Sequence, residues 1–178
     1  YPQSIMSVDG AMDTAMELNS LSKAHNMAGW RVGMLVGHGD RISEVLRFKS
    51  NMDSGMFRGT QEAAIKALEL GKEWFEELNN QYSKRKQAAC RLLDLLECEY
   101  DEDYQGLFVW AKVPSGYKDA YELADEVLYN LNVFITPGGI FGSNGDQFVR
   151  LSLCASTERF EEAIQRVQES LVCSKSIN

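Results

Sequence analysis

The residues most suited to chemistry lie in the segment NSLSKAHNMAGWRVG, residues 19–33. Lys23 follows an alternating segment that predicts a strand, and Ser20 and Ser22 place hydroxyl groups beside it. Arg31 lies within an apolar run, where an unpaired charge is costly and a bound anion is therefore favoured. A lysine that loses its proton beside a phosphate site suits a Schiff-base enzyme. From residue types alone, a solvated lysine and an arginine paired with a protein carboxylate remain open alternatives.

Two longer motifs resemble those of the class I/II aminotransferases, which are pyridoxal-phosphate enzymes of the type I fold. The first is SLSK followed by NMAGWRVG, within residues 20–33. The second is TPG at 136–138, FG at 141–142 and FVRLS at 148–152, in the order that the family has them. NMDSG at 51–55 is also similar to the branch that includes LL-diaminopimelate aminotransferase. The resemblance covers essentially the whole chain and corresponds to roughly the second half of a family member.

The resemblance implies a role for each of the side chains in these motifs. Lys23 is implied to hold pyridoxal 5'-phosphate as a Schiff base and to move a proton between the substrate α-carbon and the cofactor. Ser20, Ser22 and Arg31 are implied to bind the cofactor phosphate. Arg150 is implied to bind the α-carboxylate of the amino acid through a bidentate pair. The spacing of the sequence, taken without the resemblance, favours a surface arginine on an alternating strand for Arg150.

The activity implied is transfer of an amino group from an amino acid to a 2-oxo acid, by a transferase of amino-acid metabolism that works as a homodimer. Two alternatives stay open: another pyridoxal-phosphate lyase or decarboxylase of the same fold, and a non-catalytic association domain. The family's NPxNPTG-like and DExY-like segments precede its lysine, and neither precedes Lys23 here. The DEDY of residues 101–104 follows Lys23 and predicts a solvated acidic turn. We therefore expect the 178 residues alone to be inactive.

The elements that must position these side chains follow from the hydrophobic pattern, which predicts an α/β fold. Strands are predicted over 16–20, 30–37 (buried), 106–113, 133–136 and 148–154, and helices over 41–51, 60–71, 72–96, 118–130 and from 156 or 157 onward. Asp40 and Thr60 are the predicted caps of the first two helices, and Ala64, Ile65 and Leu68 are expected to face inward.

Together with the resemblance, this pattern predicts the C-terminal part of a type I aminotransferase, with a remnant of the large-domain sheet and its helices followed by a small α+β domain. Residues 1–71 are the expected end of an incomplete large cofactor-binding domain. Residues 72–106 are the expected connecting helix and turn, and residues 107–178 the small C-terminal domain with the order β-α-β-β-α.

The charge and hydropathy of the chain exclude two classes of partner. Acidic residues number 26 and basic residues 18, giving a net charge of −8 that repels phosphate backbones, so nucleic acid is not an expected partner. No stretch approaches the roughly 18 apolar residues of a membrane helix, so no membrane partner is expected. No signal peptide is visible, and the first residue, Tyr1, suggests a cut or processed chain.

The cysteines predict a reducing compartment and no metal. Cys90, Cys98, Cys154 and Cys173 form no C-x-x-C pair, and only two histidines accompany them, so a zinc site is not expected. Scattered thiols fit the cytoplasm, and each is predicted to be a small buried hydrophobe.

Overall fold

The computed structural model describes residues 3–175, with side chains described through residue 170. The chain divides into two compact units, Tyr1–Phe75 and Glu76–Asn178. Each has its own hydrophobic core, and the core of the second unit is the larger.

An antiparallel hairpin organises the first unit. Strand β1 (Met16–Ser20) pairs with β2 (Gly33–Gly37), so that Ser20 lies opposite Gly33. A Cβ atom at Gly33 would lie 2.6 Å from the carbonyl oxygen of Asn19, which explains the glycine at this close approach. The second strand begins three residues later than predicted, because a 3-10 turn occupies Ala28–Trp30. The expected burial of this strand is wrong for Met34 and Val36, which are exposed because a two-stranded sheet has no further layer to cover them.

Four helices complete the first unit: α1 (Ala11–Thr14), α2 (Leu21–Ala24), α3 (Gly39–Lys49) and α4 (Arg58–Leu68). The cap of α3 is His38 rather than Asp40, since His38 Nδ1 accepts the Asp40 N–H at 3.3 Å. Thr60 lies inside α4, which begins directly after Phe57.

The inward face of α4 is made of small residues. Ala64 is buried as predicted, and Ala67 joins it in the core with Leu21, Met27 and Val32. The expectation for Ile65 and Leu68 is wrong, because their side chains are 51% and 55% exposed. A helical period identifies which residues share a stripe, but not whether another element covers it.

The second unit is a four-stranded antiparallel sheet with three helices. The strands, in spatial order, are β3 (Glu99–Tyr100), β4 (Phe108–Lys112), β6 (Phe148–Ser152) and β5 (Thr136–Pro137). The helices are α5 (Lys72–Leu95), α6 (Ala120–Leu131) and α7 (Thr157–Lys175). The start of α5, through Phe75, belongs to the first unit. The predicted order β-α-β-β-α is confirmed from β4 onward, and β3 is an additional short strand.

Alternation along β4 and β6 gives this sheet an inner and an outer face. Val109, Ala111, Val149 and Leu151 are almost completely buried in one core with residues of the three helices. The intervening residues lie on the outer face: Phe108, Trp110, Phe148, Arg150 and Ser152. The scaffold thus separates a packed apolar layer from a surface that carries aromatic rings and one arginine.

The cysteines differ in exposure. Cys98 is buried and Cys90 is half-buried, whereas the prediction for Cys154 is wrong because this residue is exposed just after β6. The side chain of Cys173 lies outside the described residues. Within residues 3–175 there is no helix with the length and apolar character needed to cross a membrane. The same part of the chain holds no cluster of three or more His, Cys, Asp or Glu that could bind a metal ion.

Candidate functional site

The loop that carries Lys23 connects β1 to β2 and is closed at its base. The backbone N–H of Leu21 donates to the carbonyl oxygen of Val32 at 3.3 Å, and the N–H of Met27 donates to the carbonyl oxygen of Leu21 at 3.3 Å. All three side chains are buried together. Lys23 therefore projects from a short helix whose first residue is anchored in the core of the unit.

The two predicted hydroxyls meet at the start of this loop. Ser20 caps α2 by accepting the Ser22 N–H at 3.2 Å, and its own hydroxyl donates to Ser22 Oγ at 3.0 Å. Lys23 follows directly and is exposed. Within the described part of the chain, its ammonium group has no hydrogen bond or ion pair.

Arg31 lies at the other end of the same loop. Its backbone adopts the left-handed region with φ of 53°, and its Nη1 donates to the carbonyl oxygen of Ala28 at 2.9 Å. The side chain is exposed, and one bond to a carbonyl leaves most of the five guanidinium N–H donors available. Since Ser20 pairs with Gly33, two residues beyond Arg31, all four residues that the sequence predicts for cofactor binding lie on this loop or at its base.

Two aromatic residues at the start of α5 stabilise the end of α2. Trp74 donates its indole N–H to the carbonyl oxygen of Ala24 at 3.1 Å. The ring of Phe75 meets the imidazole of His25 edge to face at 5.4 Å. His25 Nδ1 is buried without a hydrogen-bond partner among residues 3–175. Sequence reasoning missed this support, because it joins positions about 50 residues apart.

Arg150, the predicted carboxylate ligand, lies in the second unit, on the outer face of β6. Its guanidinium carbon lies 4.3 Å from the centroid of the Phe108 ring and 4.2 Å from that of Phe141. Its Nε is buried and has no acceptor in the described residues. Within the described residues, the cation therefore packs against two aromatic rings rather than pairing with a protein carboxylate.

Two further rings extend this arrangement into an aromatic cage made of Phe108, Trp110, Phe141 and Phe148. Trp110 lies directly opposite Arg150 in the strand register. Its ring stacks on Phe148 with centroids 5.6 Å apart and an angle of 17°, and it lies 6.1 Å from Phe141. The alternation of β4 and β6 could have identified three of the four rings, since they share the outer face with Arg150.

Phe141 comes from a glycine-rich loop that folds back on itself in two 3-10 turns, Gly138–Phe141 and Ser143–Gly145. A Cβ atom at Gly138 would lie 2.6 Å from the carbonyl oxygens of both Gly145 and Phe148. The sequence predicts that this loop shapes the substrate entrance. In the folded loop, the ring of Phe141 contacts the guanidinium of Arg150.

Two open grooves of the second unit include Arg150 in their lining. One, of about 520 Å³, runs along β5, β6 and α7, where Arg159 and Arg166 both pair with Glu162. The other crosses the outer sheet face beside Lys112. A small ligand can therefore approach the guanidinium from solvent.

The acidic segment 101–104 is a solvated turn, as predicted. The backbone N–H of Asp103 donates to Asp101 Oδ1 at 2.9 Å, and the backbone carbonyl oxygens of Glu102 and Tyr104 accept from Lys86 Nζ. These contacts give the segment a structural role on the surface of the second unit.

The motifs and fold described above are those of a known family. The chain belongs to the aminotransferase class I and II family, whose model matches residues 2–167. It is 40% identical to LL-diaminopimelate aminotransferase from Nitratidesulfovibrio vulgaris and 42% identical to the protein of that name from Oleidesulfovibrio alaskensis, over 166 residues in each case. These matches cover 93% of this chain, but only 43% and 42% of the relatives. The chain thus spans less than half the length of these curated relatives.

Solved structures agree with this assignment. Substrate-bound BacF from Bacillus subtilis is 34% identical, with a TM-score of 0.86 over 94% of this chain and 43% of that chain. An aminotransferase from Staphylococcus aureus is 32% identical, with a TM-score of 0.80 over 93% of this chain and 44% of that one. The expected family and the expected fold class, a partial α/β aminotransferase of type I, are confirmed.

Proposed function

We propose that this chain supplies the lysine and the carboxylate-binding arginine of a pyridoxal-phosphate-dependent aminotransferase. The reaction moves an amino group from an amino acid to a 2-oxo acid. The observation that carries the proposal is the Arg150 guanidinium, which lines two open grooves, packs against two rings and has an Nε without an acceptor in the described residues. Such a group is prepared for an external carboxylate.

The donors of the Lys23 loop fit the cofactor. Ser20 and Ser22 offer hydroxyls 3.0 Å apart, and Arg31 has guanidinium donors beyond the one that Ala28 engages. Hydroxyl and guanidinium groups are suitable donors for a phosphate ester. Lys23 offers the primary amine that an aldehyde requires, on an exposed side chain.

The chemistry divides between the cofactor and this chain. Bound pyridoxal phosphate supplies an electron sink for the electron pair left at the substrate α-carbon. Once deprotonated, Lys23 Nζ would take the proton from that carbon as a general base and would then deliver it, as a general acid, to the cofactor carbon that carried the aldehyde. Arg150 holds the α-carboxylate through two parallel N–H···O bonds and so orients the α-carbon.

We propose the following organisation for the complete protein. Residues 1–71 end a cofactor-binding domain, residues 72–106 connect it to the next, and residues 107–178 form the small domain. The complete protein is a cytoplasmic homodimer whose partners are its amino-acid and 2-oxo-acid substrates, not nucleic acid or a membrane. The named activity of the relatives makes LL-diaminopimelate the first donor to test.

The isolated 178 residues are proposed to be inactive. A buried carboxylate is needed to keep the cofactor ring nitrogen protonated, because it favours the charged form. The family's DExY-like segment supplies that carboxylate, and no such segment precedes Lys23 in this sequence. Two alternatives remain, a lyase or decarboxylase of the same fold and a non-catalytic association domain.

Covalent mapping tests the role of Lys23. Borohydride reduction of the complete protein with pyridoxal phosphate should attach the cofactor mass to the peptide that contains Lys23. The Lys23→Ala variant should lose this label, and Lys84→Ala, which removes an exposed lysine of α5, should keep it. Label confined to another lysine would overturn the assignment.

A further inference from the structure

Arg150 differs from three other arginines of its unit in how its charge is satisfied. Arg91 pairs with Glu161, and Arg159 and Arg166 pair with Glu162. Arg150 has two aromatic rings instead, at 4.3 and 4.2 Å, and its Nε has no acceptor in the described residues. Aromatic faces attract a cation without consuming its N–H donors.

We propose that Phe108 and Phe141 are positioning residues, which fix the plane of the Arg150 guanidinium so that its N–H edge meets a substrate carboxylate. This inference rests on the proposed function, because it takes the carboxylate to be that of the amino acid. An arginine side chain has many rotamers, and ordering them on binding opposes affinity. Two rings packed against the guanidinium, at 4.3 and 4.2 Å, restrict that freedom before the substrate arrives.

The loop that carries Phe141 is built to hold this ring in place. Backbone contact between Gly138 and Gly145 closes the loop, and Gly139 packs against the ring of Tyr121, where a Cβ atom would lie 2.6 Å from Cε2. Phe141 is 51% exposed, so burial in a core does not account for its position. The position of Phe141 is instead explained by its contacts with Arg150 and Trp110.

Removal of the Phe141 ring should weaken substrate binding much more than it slows the reaction of bound substrate. Loss of the Phe141 ring leaves the charge of Arg150 in place but frees its orientation. The affinity for a carboxylate should therefore fall about tenfold, which corresponds to about 1.4 kcal/mol. The rate of the reaction at saturating substrate should change much less. The proposed role of Phe141 is to orient Arg150 for binding, whereas Lys23 performs the proton transfer.

NMR spectroscopy of the 178-residue chain can observe the Arg150 side chain directly. With 15N-labelled arginine, the Arg150 Nε–H resonance should be shifted upfield by the two ring faces, and titration with succinate should move it. Phe141→Leu should reduce the upfield shift and weaken succinate binding about tenfold. Phe141→Tyr keeps the ring and should restore both readouts. Tyr129→Leu, which removes a 77% exposed ring on α6, should change neither.

In the complete protein, Phe141→Leu should raise KM for the amino acid about tenfold with kcat within about twofold and with cofactor absorbance unchanged. An Arg150 Nε–H resonance without ring shift, or Phe141→Leu with wild-type succinate affinity, overturns the positioning role. Failure of Lys23 labelling with an intact succinate response would overturn the proposed function instead. Circular dichroism confirms that each variant is folded. If Phe141→Leu is not, Phe108→Leu, which removes the other ring in contact with Arg150, makes the same test.

Discussion

Leu21 donates its backbone N–H to the carbonyl oxygen of Val32 at 3.3 Å, and both side chains are buried. This pair closes the loop that presents Lys23 between Ser20 and Arg31. The first unit has a small core, in which Leu21 is the residue with the least exposure, at 2%. The position of the lysine therefore depends on a buried leucine two residues before it.

Leu21→Ala should destabilise the first unit by about 2 kcal/mol or more, because it removes a buried side chain and leaves a cavity. Leu18→Ala is the matched control, since Leu18 is 83% exposed on β1 and its truncation should cost under about 0.5 kcal/mol. Urea unfolding curves measure both free energies. Equal effects of the two substitutions would contradict the anchoring role of Leu21.

Gly138→Ala should destabilise the second unit by about 1–3 kcal/mol, because the added Cβ would meet two carbonyl oxygens at 2.6 Å. The control is Gly116→Ala, where the added atom meets nothing within 4 Å. Thermal unfolding compares the variants. A Gly138→Ala protein as stable as the Gly116→Ala protein would show that the closed loop adapts without cost.

The thiols should react in the order of their exposure. Burial raises the pKa of the Cys98 thiol to about 11, so only about one molecule in a thousand carries the reactive thiolate at pH 8. Cys154 is exposed. Iodoacetamide at pH 8 should therefore label Cys154 well before Cys98, as followed by peptide mass spectrometry. Faster labelling of Cys98 in the folded protein would contradict its burial.

The same burial predicts an alkaline loss of stability. The pKa of Cys98 rises on folding from 9.0 to about 11, so the unfolded state releases this proton at lower pH than the folded state. Its contribution is fully present below pH 9 and is lost as pH rises from 9 to 11. The pKa of Tyr117 is raised to about 12 by burial and by its hydrogen bond to Glu126. The titration of Tyr117 therefore extends the loss of stability to higher pH.

Urea midpoints between pH 8 and pH 11 measure this dependence. Cys98→Ala should flatten the decline in that range, because it removes the thiol that titrates. A decline of the same steepness in Cys98→Ala and in the wild-type protein would assign it to other groups.

Local patterns predicted the scaffold of the second unit well. Alternation in FVRLS located Arg150 on the face opposite to Val149 and Leu151, and the helical period located α5 within one residue of its end. These features depend on neighbours in sequence and on the pattern of burial. The strand before Lys23 also follows from local alternation, whereas its pairing with β2, which closes the loop, does not.

Other features depend on partners distant in sequence and were not predictable. Ile65 and Leu68 belong to an apolar stripe, but their exposure depends on which element covers the helix. His38 replaced Asp40 as a cap, since both have acceptors near the helix start. The contact of Phe141 with Arg150 required the fold of a glycine loop, for which no periodicity exists.

Amino transfer itself tests the central claim most directly. The complete protein, loaded with pyridoxal phosphate, is given an 15N-labelled amino acid, beginning with LL-diaminopimelate, together with 2-oxoglutarate. The account predicts 15N-glutamate formed at a catalytic rate of about 1 s⁻¹ or more, abolished by Lys23→Ala and retained by Lys84→Ala. Release of the label as free ammonia, formation of carbon dioxide, or no turnover with any amino acid of a broad panel would contradict it.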